Sequence, residues 1–166
     1  PPPAQWGRAA PAFDRLIAER FGALLESAAR AELHAWRATP RGRLAEVIVL
    51  DQFSRNIHRN TPRAFACDPM ALVLAQEAIA AGAAQALSAL ERSFLYLPFM
   101  HSESRAIHQE AERLYRDNGI EDNYRYELLH KAIIDRFGRY PHRNEILGRS
   151  STPEEIEFLK QPGSRF

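Results

Sequence analysis

The sequence predicts an all-α domain of antiparallel helical hairpins. Three observations carry this: apolar residues recur at helical rather than strand spacing, proline follows a capping residue at several points, and glycine closes one helical run after another. At 166 residues the chain fits a single domain, residues 1–166, long enough to bury a core without disulfides or metal. Apolar residues at 45% and charged residues at 26% are the balance of a water-soluble globular protein.

Pro11 to Arg30 places Phe13, Leu16, Ile17, Phe21, Leu24, Leu25 and Ala28 on one helical stripe. Thr39-Pro40 reads as an N-cap with proline at the first helical position, opening a helix toward Ile57. Within it Val47-Ile48-Val49-Leu50 has strand propensity but no second strand to pair with, so a central helix with Ile48 and Leu50 buried is expected. Thr61-Pro62 and Asp68-Pro69 repeat the capping signal, before a short turn and then a helix that stops at Gly82. Ser88 with Glu91 forms a candidate capping box for a helix ending near Pro98. A helix from about Ser102 to Asn118 stops at Gly119, and another from Tyr124 to Phe137 stops at Gly138. Thr152-Pro153-Glu154-Glu155 opens the last with a second capping box.

Several classes of function are excluded or left without support. The formal net charge of +1 supplies no field for nucleic acid, so the basic run Arg136, Arg139, His142, Arg143 and Arg149 is not read as a nucleic-acid patch. No stretch reaches the length of a membrane span and no signal peptide is visible, although Pro1-Pro2-Pro3 is a ragged start, so a cytoplasmic protein is expected. Cys67 stands alone and reads as a small buried hydrophobe. No zinc-binding, glycine-rich phosphate-loop or nucleophile-elbow motif appears, and no cofactor or metal is expected. His108 and Glu112 have the spacing of an exposed metal pair, without supporting ligands.

Two polar, arginine-centred segments remain, and they carry the functional reading. The first is Val49-Leu50-Asp51-Gln52-Phe53-Ser54-Arg55-Asn56 with Arg63 and Asp68 following closely, and the second Arg136-Phe137-Gly138-Arg139-Tyr140-Pro141-His142-Arg143-Asn144. Guanidinium and carboxylate groups beside a core must pair or bind something. On a helical wheel Leu44, Ile48, Asp51 and Arg55 share one line, so Asp51 and Arg55 form an i,i+4 pair. It is either a register-fixing ion pair or an arginine held with one edge free for a ligand carboxylate or phosphate.

In the helix after Ser102 the wheel puts Glu103 on the apolar face of Ile107 and Leu114, and His101, Arg105, His108 and Glu112 on the outer one. Glu103 is then either a structural ion, paired to an arginine such as Arg55, or a general acid or base, with His101 able to reach the same pocket. His130, on the stripe of Tyr126, Leu129, Ile133 and Phe137, reads as a satisfied core histidine.

These segments resemble the bacterial family catalogued as domain of unknown function 924. The resemblance rests on Leu50 to Asn56, Pro62 to Ala66 with Asp68, Leu97 to Glu103, Arg136 to Asn144, Leu147-Gly148-Arg149 and Ser151 to Glu155. It implies a tetratricopeptide-like α-α superhelix and brings no activity or cofactor. The family's aromatic-rich N-terminal segment is not found here, apart from Trp6.

Two functions follow. In one, a pocket binds and in its fuller form transforms a small anionic metabolite. Arg55, Asn56, Arg63, Arg139, His142 and Arg143 line it, Asp51 orients Arg55, and Glu103 or His101 is the acid or base. In the other, a tetratricopeptide-like scaffold binds a peptide or protein partner in a groove. On the first reading Arg55→Ala abolishes binding at modest cost in stability, provided Asp51 can regain water.

Overall fold

Helices and turns make up all the regular structure of the computed structural model, which describes residues 11–165; no strand occurs among them. Trp6 and Pro1 to Pro3 lie outside the described residues. No helix there is long and apolar enough to cross a membrane.

Helix α1, Pro11–Ala29, buries Ile17, Leu25 and Ala28, while Leu16 of the expected stripe is 44% exposed. The Thr39 hydroxyl accepts from the Gly42 amide at the start of α2, Pro40–Ile48, as the capping signal predicts. Gly42 is required there, because a Cβ would sit 1.9 Å from the Trp36 carbonyl oxygen. Helix α2 runs on through a π turn at Val49–Phe53 into α3, Ser54–Ile57, so the expected span to Ile57 is helical but not uniform.

A π turn leaves a carbonyl short of its usual partner. Two side chains from the next turn supply donors: the Ser54 hydroxyl bonds the Leu50 and Asp51 carbonyls, and Arg55 Nη1 bonds the Asp51 carbonyl at 2.8 Å.

Leu44 and Val47 join one buried cluster with Ala75, Leu95 and Tyr115. Val49, Leu50 and Phe53 join another with Ile17, Leu25 and Ala71. The α2–α3 segment is therefore central, with Leu50 wholly buried and Ile48 half-buried between the clusters. Burying one such leucine contributes about 1.5–3 kcal/mol. Helix α4, Asp68–Ala80, comes close to α2 because Ala71, Ala75 and Ala78 face inward.

Several expectations need correction. Neither Thr61 nor Asp68 caps a helix: the Thr61 hydroxyl donates to the His58 carbonyl, and the Asp68 carboxylate is taken by Arg55. Pro98 starts a short helix, α6 (Leu97–Met100), after α5 (Ala89–Leu95), rather than ending one.

Helix α7, Arg105–Asn118, is capped by Ser104, so His101, Ser102 and Glu103 precede it and the wheel drawn through them does not apply. Its inner face is His108, Ala111, Leu114, Tyr115 and Asn118, which places His108 in the core rather than on the outer face.

Helix α8, Glu121–Phe137, buries Glu127, His130, Ile133 and Ile134, while Tyr126 and Leu129 are half exposed. The predicted stripe is rotated by about one residue. The cause lies between the two helices. His108 Nδ1 meets Glu127 Oε1 at 2.7 Å, both side chains fully buried, so each helix carries a polar residue where an apolar one marks the core.

The glycine stops do occur, Gly119 and Gly138 both having positive φ. Both capping boxes form, the second on α9, Pro153–Phe158.

Candidate functional site

A groove of about 390 Å³ opens between the Pro62–Phe65 turn, the start of α4, the end of α6 and the Pro141–Arg143 turn. Phe65, Pro69, Leu72, Pro98 and Leu147 supply apolar walls, and Asp68, His101, Ser102, Glu103 and Arg143 supply polar ones.

The chemistry starts from the π turn. Asp51, 1% exposed, accepts from Arg55 Nη1 at 3.1 Å and Gln52 Nε2 at 2.6 Å, and lies 2.8 Å from His101 Nδ1. Arg55 also forms a two-pronged pair with Asp68, 2.8 Å on each prong. Burial opposes ionisation of Asp51, but the Arg55 charge and the His101 contact outweigh it and hold the carboxyl well below its ordinary range. Burial and then Arg55 push the His101 imidazole down, against the pull of Asp51, so the ring is neutral at pH 7.

Arg143 is the odd member. It is 6% exposed, packed between the rings of Phe65 at 4.7 Å and Tyr140 at 4.5 Å. Nη2 donates to the His101 carbonyl at 3.0 Å, and Nη1 lies 3.7 Å from Asp68 Oδ2, too far for a hydrogen bond. Its Nε is buried without a hydrogen-bond partner. Burial and the neighbouring Arg55 lower its pKa from the ordinary arginine value, as expected of a cation with too little compensation.

Glu103 reaches the groove from the loop before α7. It accepts from Arg149 at 2.6 and 2.9 Å and from the Tyr140 amide at 2.7 Å. It faces inward beside an arginine as predicted, but that arginine is Arg149, not Arg55. Burial raises its pKa and the Arg149 hydrogen bonds more than reverse this, leaving an ionised, fully engaged carboxylate.

The remaining predicted residues do not gather here. Asn56 donates to Asp14, tying α3 to α1, and Arg63 is an exposed partner of Glu26. Arg139 pairs through Nε and Nη2 with Glu155, at 2.7 and 2.8 Å, behind the groove. His142 stacks near Tyr140 and stands outside the groove walls, and burial lowers its pKa to about 4. Thus Asp51, Arg55, His101 and Arg143 come together, Glu103 lines the same groove, and the others serve the fold.

Asp68 and Phe65 also belong to the candidate site; the sequence places Asp68 with the first polar segment but reads Asp68-Pro69 as a cap and gives neither residue a role in the pocket. The expected exposed pair of His108 and Glu112 does not exist, since His108 is sealed against Glu127 and the Ser102 carbonyl. Among the described residues no group of histidine, cysteine or acidic side chains is arranged to hold a metal ion. His130 is a core histidine, its Nδ1 2.7 Å from the Tyr126 carbonyl. Cys67 is half-buried, and burial raises its thiol, so it is not an activated thiolate.

The family model described as "Bacterial protein of unknown function (DUF924)" matches residues 1–163. A solved structure of a protein of unknown function from Agrobacterium tumefaciens is 42% identical and superposes with a TM-score of 0.91, over 96% of this chain and 90% of that one. No curated protein matches the chain.

Proposed function

We propose that this chain, which belongs to the bacterial family of proteins of unknown function (DUF924), binds a small organic anion with an apolar body. The carboxylate or phosphate of the ligand pairs with Arg143, and its body lies against Phe65, Pro69 and Leu72. The observation that carries this reading is the buried Arg143 guanidinium, which lines the groove with Nε unbonded and its nearest carboxylate at 3.7 Å. A buried cation left short of partners is costly, and a bound anion removes that cost. Arg55 is not the anchor, because Asp51 and Asp68 already occupy it.

The test is a thermal-shift series with phenylacetate, hexanoate and phenyl phosphate on the wild type and on Arg143→Met. An anion present at 100 times its Kd stabilises the folded state by about 2.7 kcal/mol. For a chain of this size that raises the melting temperature by roughly 5–10 °C. Arg143→Met should remove the shift. No shift with any probe, or an equal shift in both proteins, contradicts the reading.

The groove is open along one side, which favours a second reading in which a tetratricopeptide-like scaffold holds a peptide there. Peptides that end in an apolar residue with a free carboxylate, compared with their amides, separate the two. Binding of peptides but not of small acids supports the scaffold.

A further inference from the structure

We propose that His101 is the general base of the groove, and that its substrates are small 2-oxo acids from which it takes a proton on the carbon beside the ketone. The proposal rests on the reading of Arg143 as carboxylate anchor and adds chemistry to it.

The tautomer is fixed by the partner. An ionised carboxylate only accepts hydrogen bonds, so at 2.8 Å from Asp51 Oδ1 the His101 Nδ1 carries the proton. The lone pair is then on Nε2, and His101 is one of the groove walls. Asp51 stays ionised because Arg55 is hydrogen-bonded to it, and its charge stabilises the imidazolium formed when Nε2 accepts a proton. The groups that act on His101 are Asp51 from the π turn, Arg55 from α3 and Asp68 from α4; it interacts electrostatically with His130 and His142 too. Asp51 is thus a positioning residue, and Arg55 holds Asp51.

Anchor and base adjoin, since Arg143 Nη2 hydrogen-bonds the backbone carbonyl of His101 itself. A carboxylate on Arg143 therefore sits beside residue 101. A neutral imidazole removes a carbon-bound proton only where the resulting charge is delocalised, and a 2-oxo acid offers that next to its carboxylate handle. In the step, the C–H bond breaks and the proton bonds to Nε2. The C–H electron pair becomes the carbon–carbon double bond of the enolate, and the carbonyl pair moves to oxygen. That oxygen takes the proton back from the imidazolium to give the enol. The reverse step returns a solvent-exchanged proton to carbon, and no other reactant is required.

Exchange of the methylene protons of phenylpyruvate for deuterium, followed by proton NMR in deuterium oxide, tests this directly. Binding is measured in parallel by calorimetry. The wild type should bind the acid and accelerate exchange well above buffer. His101→Gln should keep binding and lose the acceleration by about 100-fold or more. Arg143→Met should lose both. Binding without accelerated exchange overturns the general-base proposal and leaves the anion-groove reading standing, whereas absence of binding overturns both. Exchange unaltered in His101→Gln assigns the chemistry elsewhere and also overturns it. The wild-type pH profile gives a readout that needs no variant. The rate should hold level down through the ordinary histidine pKa of 6.5 and fall only at lower pH, because the folded pKa is depressed. A rate that climbs about tenfold per pH unit throughout is hydroxide catalysis and contradicts the proposal.

Discussion

Arg139 and Arg143 lie four residues apart in one turn region and look alike in sequence, yet they stand in opposite situations. Arg139 meets Glu155 through two short bonds and the Ser150 carbonyl through another. Glu155 is itself buried and also accepts from the Thr152 amide and from Asn144, so that cluster has nothing left to offer a ligand. Arg143 is buried as well, but it has one hydrogen bond, two aromatic faces and a carboxylate at 3.7 Å. What separates Arg139 from Arg143, the proposed anchor, is saturation of donors, not burial or neighbours in the chain.

The largest effect expected from breaking a saturated arginine is at Arg55. The sequence suggested a modest stability cost for Arg55→Ala if Asp51 could regain water. Asp51 is 1% exposed and cannot, and Asp68 loses both prongs of its pair. Removing one partner of a buried pair costs about 3–5 kcal/mol, which urea denaturation should register. Arg139→Met follows the same logic with a more exposed guanidinium, and should cost about 2–3 kcal/mol by the same measurement, through the stranded Glu155.

Arg143→Met should behave differently. An apolar side chain of similar length replaces an under-partnered buried cation, so stability should change by less than about 1 kcal/mol in either direction. A loss as large as that of Arg139→Met shows Arg143 to be as structural as Arg139, and erases the contrast.

Acid should sharpen the comparison by separating histidines from carboxylates. Burial depresses His142 to about 4 and His130 to about 3, against 6.5 in the unfolded chain. Between those values the unfolded state binds more protons, so stability is full above 6.5 and falls as the pH drops toward 4. Each of the two histidines should contribute up to about 3 kcal/mol to that fall, read from urea denaturation at pH values across the range. Asp51 and Glu103, held below the usual carboxylate range, should add their loss only at lower pH. His142→Asn should flatten the upper part of the curve.

Much of the helical layout was legible because its punctuation is local. Thr39-Pro40, the boxes at Ser88 and Thr152, and Gly119 and Gly138 act within a turn of chain. The π turn has no such mark, and Ser104 rather than Ser102 caps α7 because a Ser-Glu-Ser run offers two starts. The faces of α7 and α8 were misread for one shared reason. His108 and Glu127 are polar, and only the other helix makes either of them a core residue.

At the site, Asp51 and Arg55 were visible because helical spacing pairs them. Asp68 stood beside that segment in the sequence, but its pairing with Arg55 was not legible, since the two are thirteen residues apart and its place before proline suggests a cap. Nor does sequence separate Arg139 from Arg143, because saturation depends on where Glu155 and Asp68 end up in three dimensions.

The most direct measurement is the side-chain Nε–H signal of Arg143 in a proton–nitrogen NMR spectrum, assigned by its loss in Arg143→Met and followed while phenylacetate is added. The buried, unbonded Nε should give a signal that exchanges slowly with solvent in the free protein but has the chemical shift of an N–H without an acceptor. It should then shift in a saturable manner as the carboxylate binds, with the Arg139 signal unmoved. An Arg143 signal that no organic anion moves, or one that moves only together with that of Arg139, contradicts the account.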